Sequence, residues 1–80
     1  GKKCGPQLYE LPIGLQAPAA LKKLGEIDWP DKCRIIGIIH GEEETIPDGS
    51  TILYPGDKLI IIAEDDASGF LLEKISVLTT

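Results

Sequence analysis

Two short isoleucine-rich runs, Arg34–His40 (RIIGIIH) and Lys58–Ala63 (KLIIIA), constrain this chain more than any other feature. β-Branched side chains are stiff at χ1 and pack well on a pleated surface, so such runs favour strands. Both are short for a core helix and are bounded by Gly, Pro, Asp or Glu, which also favours extended structure. Successive side chains of a strand point to opposite faces, yet neither run alternates apolar with polar. Ile35, Ile36, Ile38 and Ile39 fall on both faces, as do Leu59, Ile60, Ile61 and Ile62. Two strands buried on both sides are therefore expected.

That expectation meets a shortage of chain. Eighty residues make one small domain, and a chain of that size buries only about 60–65% of its unfolded surface. Hydrophobic residues make up 42%, few of them aromatic and none Met, so the core is branched aliphatic. Burying one such side chain contributes about 1.5–3 kcal/mol, which every residue of a wet face forgoes. An exposed Ile/Leu face also exceeds the patch size that monomers tolerate. The simplest cover is a second copy in a two-fold dimer.

The remaining elements follow from local signals. Gly1–Pro6 reads as a linker or tag remnant, residues 7–75 as the domain and 76–80 as a tail, or a last strand. Gln7–Ile13 alternates, with Leu8 and Glu10 on one side and Tyr9 and Leu11 on the other. Pro12 confines it to a strand end or sheet edge. Ala17–Gly25 is expected as a short helix: Pro18 suits a first turn, Leu21 and Leu24 share a stripe, and Gly25 ends it. Trp29, before Pro30, is expected to pack over a helix end. Glu42, Glu43 and Glu44 mark an exposed turn, and Thr51–Leu53 a short strand. Pro47-Asp48-Gly49-Ser50 and Tyr54-Pro55-Gly56-Asp57 carry turn chemistry, with Asp48 capping locally and Gly49 at positive φ. Asp65 or Asp66 is expected to cap a final helix over 67–74, with Phe70, Leu71, Lys74 and Ile75 at helical spacing.

Composition narrows function as well. Thirteen acidic against eight basic residues give a net charge of −5, which argues against nucleic-acid binding. No run of 18 apolar residues suggests direct membrane insertion. No nucleophile elbow, HExxH, Walker loop or GxGxxG is present, so no enzyme class is indicated and no cofactor is implied within this domain. Cys4 and Cys33 match no metal or redox spacing; they read as free thiols, or as one bridge. His40 is the only histidine, and with Glu42 and Glu44 it offers the donor types a divalent cation takes. A solvated acidic turn explains the same residues.

The order and spacing of Ile35–Glu42, Ile46–Thr51 and Pro55–Ile61, preceded by Leu11-Pro12, Leu15, Pro18, Leu21, Leu24 and Gly25, resembles the TrkA C-terminal (RCK_C) domain. This family is the regulatory module at the end of potassium-channel and potassium-transporter gating subunits. The resemblance implies a cytoplasmic, ligand-sensing homodimer attached to an upstream RCK_N-like or membrane transport domain. In members that bind cyclic di-AMP, the ligand lies across the two-fold. The matching positions here are Ile35, Ile36, Ile39, His40, Ile46 and Pro47. Many members carry Arg where this chain has His40, and neutral His lacks Arg's charged fork.

The expected fold is α+β: a small mixed, mostly antiparallel sheet with two short helices on one face, dimerising as RCK_C domains do. Three roles stay open for it: a nucleotide-sensing dimer, a purely structural dimerisation module, and a divalent-cation sensor built on His40 and its glutamates.

Overall fold

The computed structural model describes residues 5–64 and 69–80. Among the described residues four strands form one sheet in the order β1-β4-β2-β3. They are β1 (Gln7–Pro12), β2 (Cys33–His40), β3 (Glu43–Thr45) and β4 (Lys58–Ala63), and one described α-helix, α1 (Phe70–Thr79), follows. The isoleucine runs form strands, as expected, and take the two central places, while Pro12 closes a strand on the sheet's edge. Every pairing is antiparallel rather than mixed.

Burial along β4 alternates. Leu59, Ile61 and Ala63 are buried on one face, while Ile60 and Ile62 stay half-buried on the other. Ile35 and Ile38 of β2 join the buried face, where Ile75 and Leu71 of α1 and Ile13, Ala17, Ala19 and Leu53 complete the core. A bulge between Ile35 and Gly37 shifts the β2–β4 register and leaves Ile36 38% exposed. The outer face carries Leu8, Ile39, Ile60 and Ile62, with Leu8 65% exposed. Within one chain the strands are thus sealed on one side only, not on both.

The expected helix over Ala17–Gly25 does not form. The segment is a chain of turns ending in a 3₁₀ turn at Leu24–Glu26. Its backbone is committed elsewhere: Ala19 N–H donates to Leu78, Leu21 to Leu53, and Leu24 to Thr51, while Leu53 donates back to Lys22. Leu21 sits at φ +66, which ends any helical run. Long-range ladder bonds override good local propensity here, as tertiary context commonly does. The same bonds reduce the expected Thr51–Leu53 strand to a lone bridge between Ile52 and Lys23.

At the other end α1 runs through Ser76–Thr79, where a tail or strand was expected. Its last carbonyls, which no intrahelical N–H can reach, accept from Gly14 (to Thr79, 2.8 Å) and Ala19 (to Leu78, 3.0 Å). The expected caps Asp65 and Asp66, the helix start at residue 67 and Cys4 lie outside the described residues. Cys33 is a free thiol whose Sγ meets the Pro30 carbonyl at 3.2 Å. Trp29 lies against the core, its indole N–H donating to the Leu24 carbonyl at 3.1 Å, so it packs over the 3₁₀ turn.

Candidate functional site

The end of the sheet where β2 stops is built by two turns. From His40 the chain reverses through Gly41-Glu42 into β3, and His40 stands opposite Glu43. Gly41 takes φ +64 at the first central position of this two-residue loop, which a side-chain-bearing residue would resist. The expected acidic turn is therefore only Gly41-Glu42, and Glu43 and Glu44 belong to an exposed edge strand.

The second turn is Tyr54–Asp57. Pro55 presets the first central position and Gly56, at φ +91, supplies the left-handed second one. Asp57 N–H closes the turn on the Tyr54 carbonyl at 3.0 Å. The Asp57 carboxylate folds back, and its Oδ2 accepts the Tyr54 N–H at 3.1 Å. Its Oδ1 lies 2.5 Å from His40 Nδ1. Asp57 is 3% exposed, whereas the His40 side chain is 66% exposed. The Tyr54 ring stands 5.7 Å from the imidazole, tilted by 57°.

This geometry settles which ring atom is free. With the carboxylate accepting, Nδ1 donates, and the neutral imidazole keeps Nε2 as an acceptor. Among the described residues Nε2 has no partner. A phosphate needs a donor, so Nε2 can serve one only when the ring is protonated.

The six candidate ligand residues do not converge on one surface. Ile35 is in the core with Ile38 and Ile61. Ile39, opposite Lys58, is half-buried on the outer face, and Ile36 protrudes at the bulge. His40 ends the strand on the core side. Ile46 is 90% exposed and Pro47 half-buried just beyond β3. The metal-type donors diverge as well: Glu44 opposes Ile39, Glu43 opposes His40, and Glu42 is in the loop. Among the described residues no group of three or more His, Cys, Asp or Glu is placed to hold a metal ion.

Asp48 and Asp57 both carry turn geometry, as expected. Asp48 Oδ1 accepts Ser50 N–H at 2.9 Å and Ser50 Oγ–H at 2.7 Å, contacts that hold its carboxyl below its ordinary pKa. The turn closes from Thr51 N–H to the Asp48 carbonyl at 3.1 Å, and Gly49 needs no positive φ. Sequence reasoning missed that Asp57 is also the partner of His40. The signal was available: if Ile39 opposes Lys58, one further step puts His40 opposite Asp57. Tyr54 was missed for the same reason.

Two comparisons bear on this arrangement. A family model described as the TrkA-C domain matches residues 8–74. A solved structure described as an RCK domain "with cda" superposes with a TM-score of 0.68. At 24% identity, that match covers 89% of this chain and 96% of the other. No helix among the described residues is long and apolar enough to cross a membrane.

Proposed function

The chain belongs to the TrkA-C domain family, a regulatory domain of potassium transport systems, and we propose on that premise that it works as a ligand-sensing homodimer. The observation that carries the reading is the outer sheet face. Leu8, Ile39, Ile60 and Ile62, set among Glu10, Arg34 and Lys58, leave aliphatic surface that one chain does not seal. A second copy meeting that face restores the burial that the two isoleucine runs demand. The parent protein supplies an RCK_N-like or membrane transport domain upstream and places the dimer in the cytoplasm.

The ligand proposed for the dimer is a small nucleotide, cyclic di-AMP, read at the end of β2. On one chain these residues lie apart, so the site is proposed to form only where two copies meet, with Ile36, Ile39, Ile46 and Pro47 as apolar walls for a purine and His40 as the polar group at its mouth. The similar RCK domain solved with cda supports this assignment. Binding acts by differential affinity for two arrangements of the copies, and that bias passes to the upstream domain. Thermal denaturation with cyclic di-AMP tests it: a dose-dependent rise in Tm supports the reading, and an unchanged Tm at saturating nucleotide overturns it.

A purely structural dimerisation module is the second reading, favoured by the same outer face. It predicts a stable dimer indifferent to nucleotide. The cation-sensor reading gains no support from the diverging glutamates.

A further inference from the structure

The sequence contains no Asn and a single Asp followed by Gly, Asp48-Gly49. An Asp-Gly bond is open to a spontaneous backbone reaction, because glycine gives its nitrogen no steric cover. The Gly49 nitrogen loses its proton and attacks Cγ of the protonated Asp48 carboxyl. Water leaves, and a five-membered succinimide ring closes. Water then opens the ring at either carbonyl. One opening restores aspartate. The other yields isoaspartate, whose main chain runs through Cβ and Cγ and leaves the old α-carbonyl as a free carboxylate.

The fold acts on this reaction in both directions. In its favour, Asp48, Gly49 and Ser50 are exposed, and the Gly49 N–H has no hydrogen-bond partner among the described residues. Against it, Asp48 Oδ1 accepts from Ser50 N–H, Ser50 Oγ–H and Thr51 Oγ1–H, at 2.9, 2.7 and 3.3 Å. Such donors favour the carboxylate over the neutral acid that reacts. Closing the ring also reorients the Asp48–Gly49 peptide. Yet the Asp48 carbonyl already accepts Thr51 N–H at 3.1 Å, and the Gly49 carbonyl accepts Gly25 N–H at 2.9 Å.

We propose that Asp48 is an isoaspartate-forming site held closed by the folded 48–51 turn, and that its conversion unfastens the segment Ala17–Gly25. The second half follows from what the turn anchors. Ala17–Gly25 forms no α-helix. Leu21, Leu24 and Gly25 instead donate to Leu53, Thr51 and Gly49, and Leu53 returns one bond to Lys22. The contact nearest Asp48 has no slack: a Cβ built on Gly25 would meet the Gly49 oxygen at 3.0 Å and its Cα at 3.2 Å. Isoaspartate adds one main-chain atom just before Gly49 and removes the carbonyl that Thr51 N–H uses. Ala17 and Ala19 are buried, so loosening this segment reaches the core.

Ageing the 80-residue domain at mildly acidic pH, folded and in urea, then digesting it for electron-transfer mass spectrometry, counts isoaspartate at residue 48. The folded chain is expected to convert about tenfold more slowly than the unfolded one. Ser50→Ala with Thr51→Val strips both hydroxyl donors and is expected to raise the folded-state rate by about threefold or more. Gly49→Ala, whose methyl has room in the fold, is expected to suppress conversion in both states. In the isolated isoaspartate form the amides of Leu21, Leu24 and Gly25 are expected to exchange with deuterium about tenfold faster than in the parent. Equal conversion of folded and unfolded chains, or a double variant that is folded by circular dichroism yet converts no faster, would overturn the protection. Unchanged exchange in the isoaspartate form would overturn the link to Ala17–Gly25.

Discussion

His40, the last residue of β2, and Asp57, just ahead of β4, meet through their side chains, with imidazole Nδ1 2.5 Å from the carboxylate Oδ1. The pair is lopsided: the carboxylate is buried and the ring lies largely in solvent. Asp57 also holds the Tyr54 N–H, so it secures the turn that launches β4, whereas His40 depends on Asp57 for its orientation.

That asymmetry makes the two residues differ in stability. Asp57→Ala strips the acceptor from Tyr54 N–H and is expected to destabilise the fold by about 1–3 kcal/mol. His40→Ala removes an exposed ring and is expected to cost less than 1 kcal/mol, in the range of ordinary surface substitutions. Urea denaturation of both variants compares them. A larger loss for His40→Ala would contradict the assignment of roles.

The two faces of β4 should respond differently. Ile61 is fully buried, and Ile61→Ala is expected to cost about 2–5 kcal/mol. Ile62 lies half-buried on the outer face, and Ile62→Lys is expected to leave the fold standing while dissolving the proposed dimer. Sedimentation equilibrium beside circular dichroism reads both. An Ile62→Lys chain that still dimerises at wild-type affinity would remove the outer face from the interface.

Asp48 ties a local acid sensitivity to the 48–51 turn. Hydrogen bonds from Ser50, side chain first and then backbone, lower its pKa. A carboxyl depressed by folding contributes stability that is present above its unfolded pKa and lost as pH falls through the folded value. Carbon NMR shifts of the turn should therefore change on acidification below the ordinary carboxylate range, not at neutral pH. Ser50→Ala should move that titration upward.

Cys33 should alkylate slowly. Burial raises its thiol pKa, and Asp31 adds to the shift, so less thiolate is present at neutral pH than on a free cysteine. Mass spectrometry after iodoacetamide treatment should show its peptide lagging behind a model thiol. Asp31→Asn should narrow the gap only slightly, because burial is the larger cause.

The strands were readable because their signal is local: branched aliphatic runs with turn residues at both ends leave few alternatives. Ala17–Gly25 was misread because nothing in its composition reveals that Thr51, Leu53 and Leu78 claim its backbone. α1 continues past Lys74 because its last carbonyls find Gly14 and Ala19, partners some sixty residues earlier in the chain. His40 was recognised as the emerging polar residue of a buried strand. Asp57 was not linked to it, since that link exists only once the register of two distant strands is known. Ile35 entered the candidate ligand set through the family resemblance, and the isoleucine run alone does not disclose that a bulge leaves Ile36 exposed while Ile35 packs into the core.

The regulatory reading rests on a nucleotide bound at the end of β2 where two copies meet, with His40 at the mouth of the site. Calorimetric titration of cyclic di-AMP into the 80-residue domain tests this proposal. Saturable heat at one ligand per two chains, lost in His40→Ala, is the expected result. Absence of heat would contradict it, and the domain would then stand as a dimerisation unit without a nucleotide ligand.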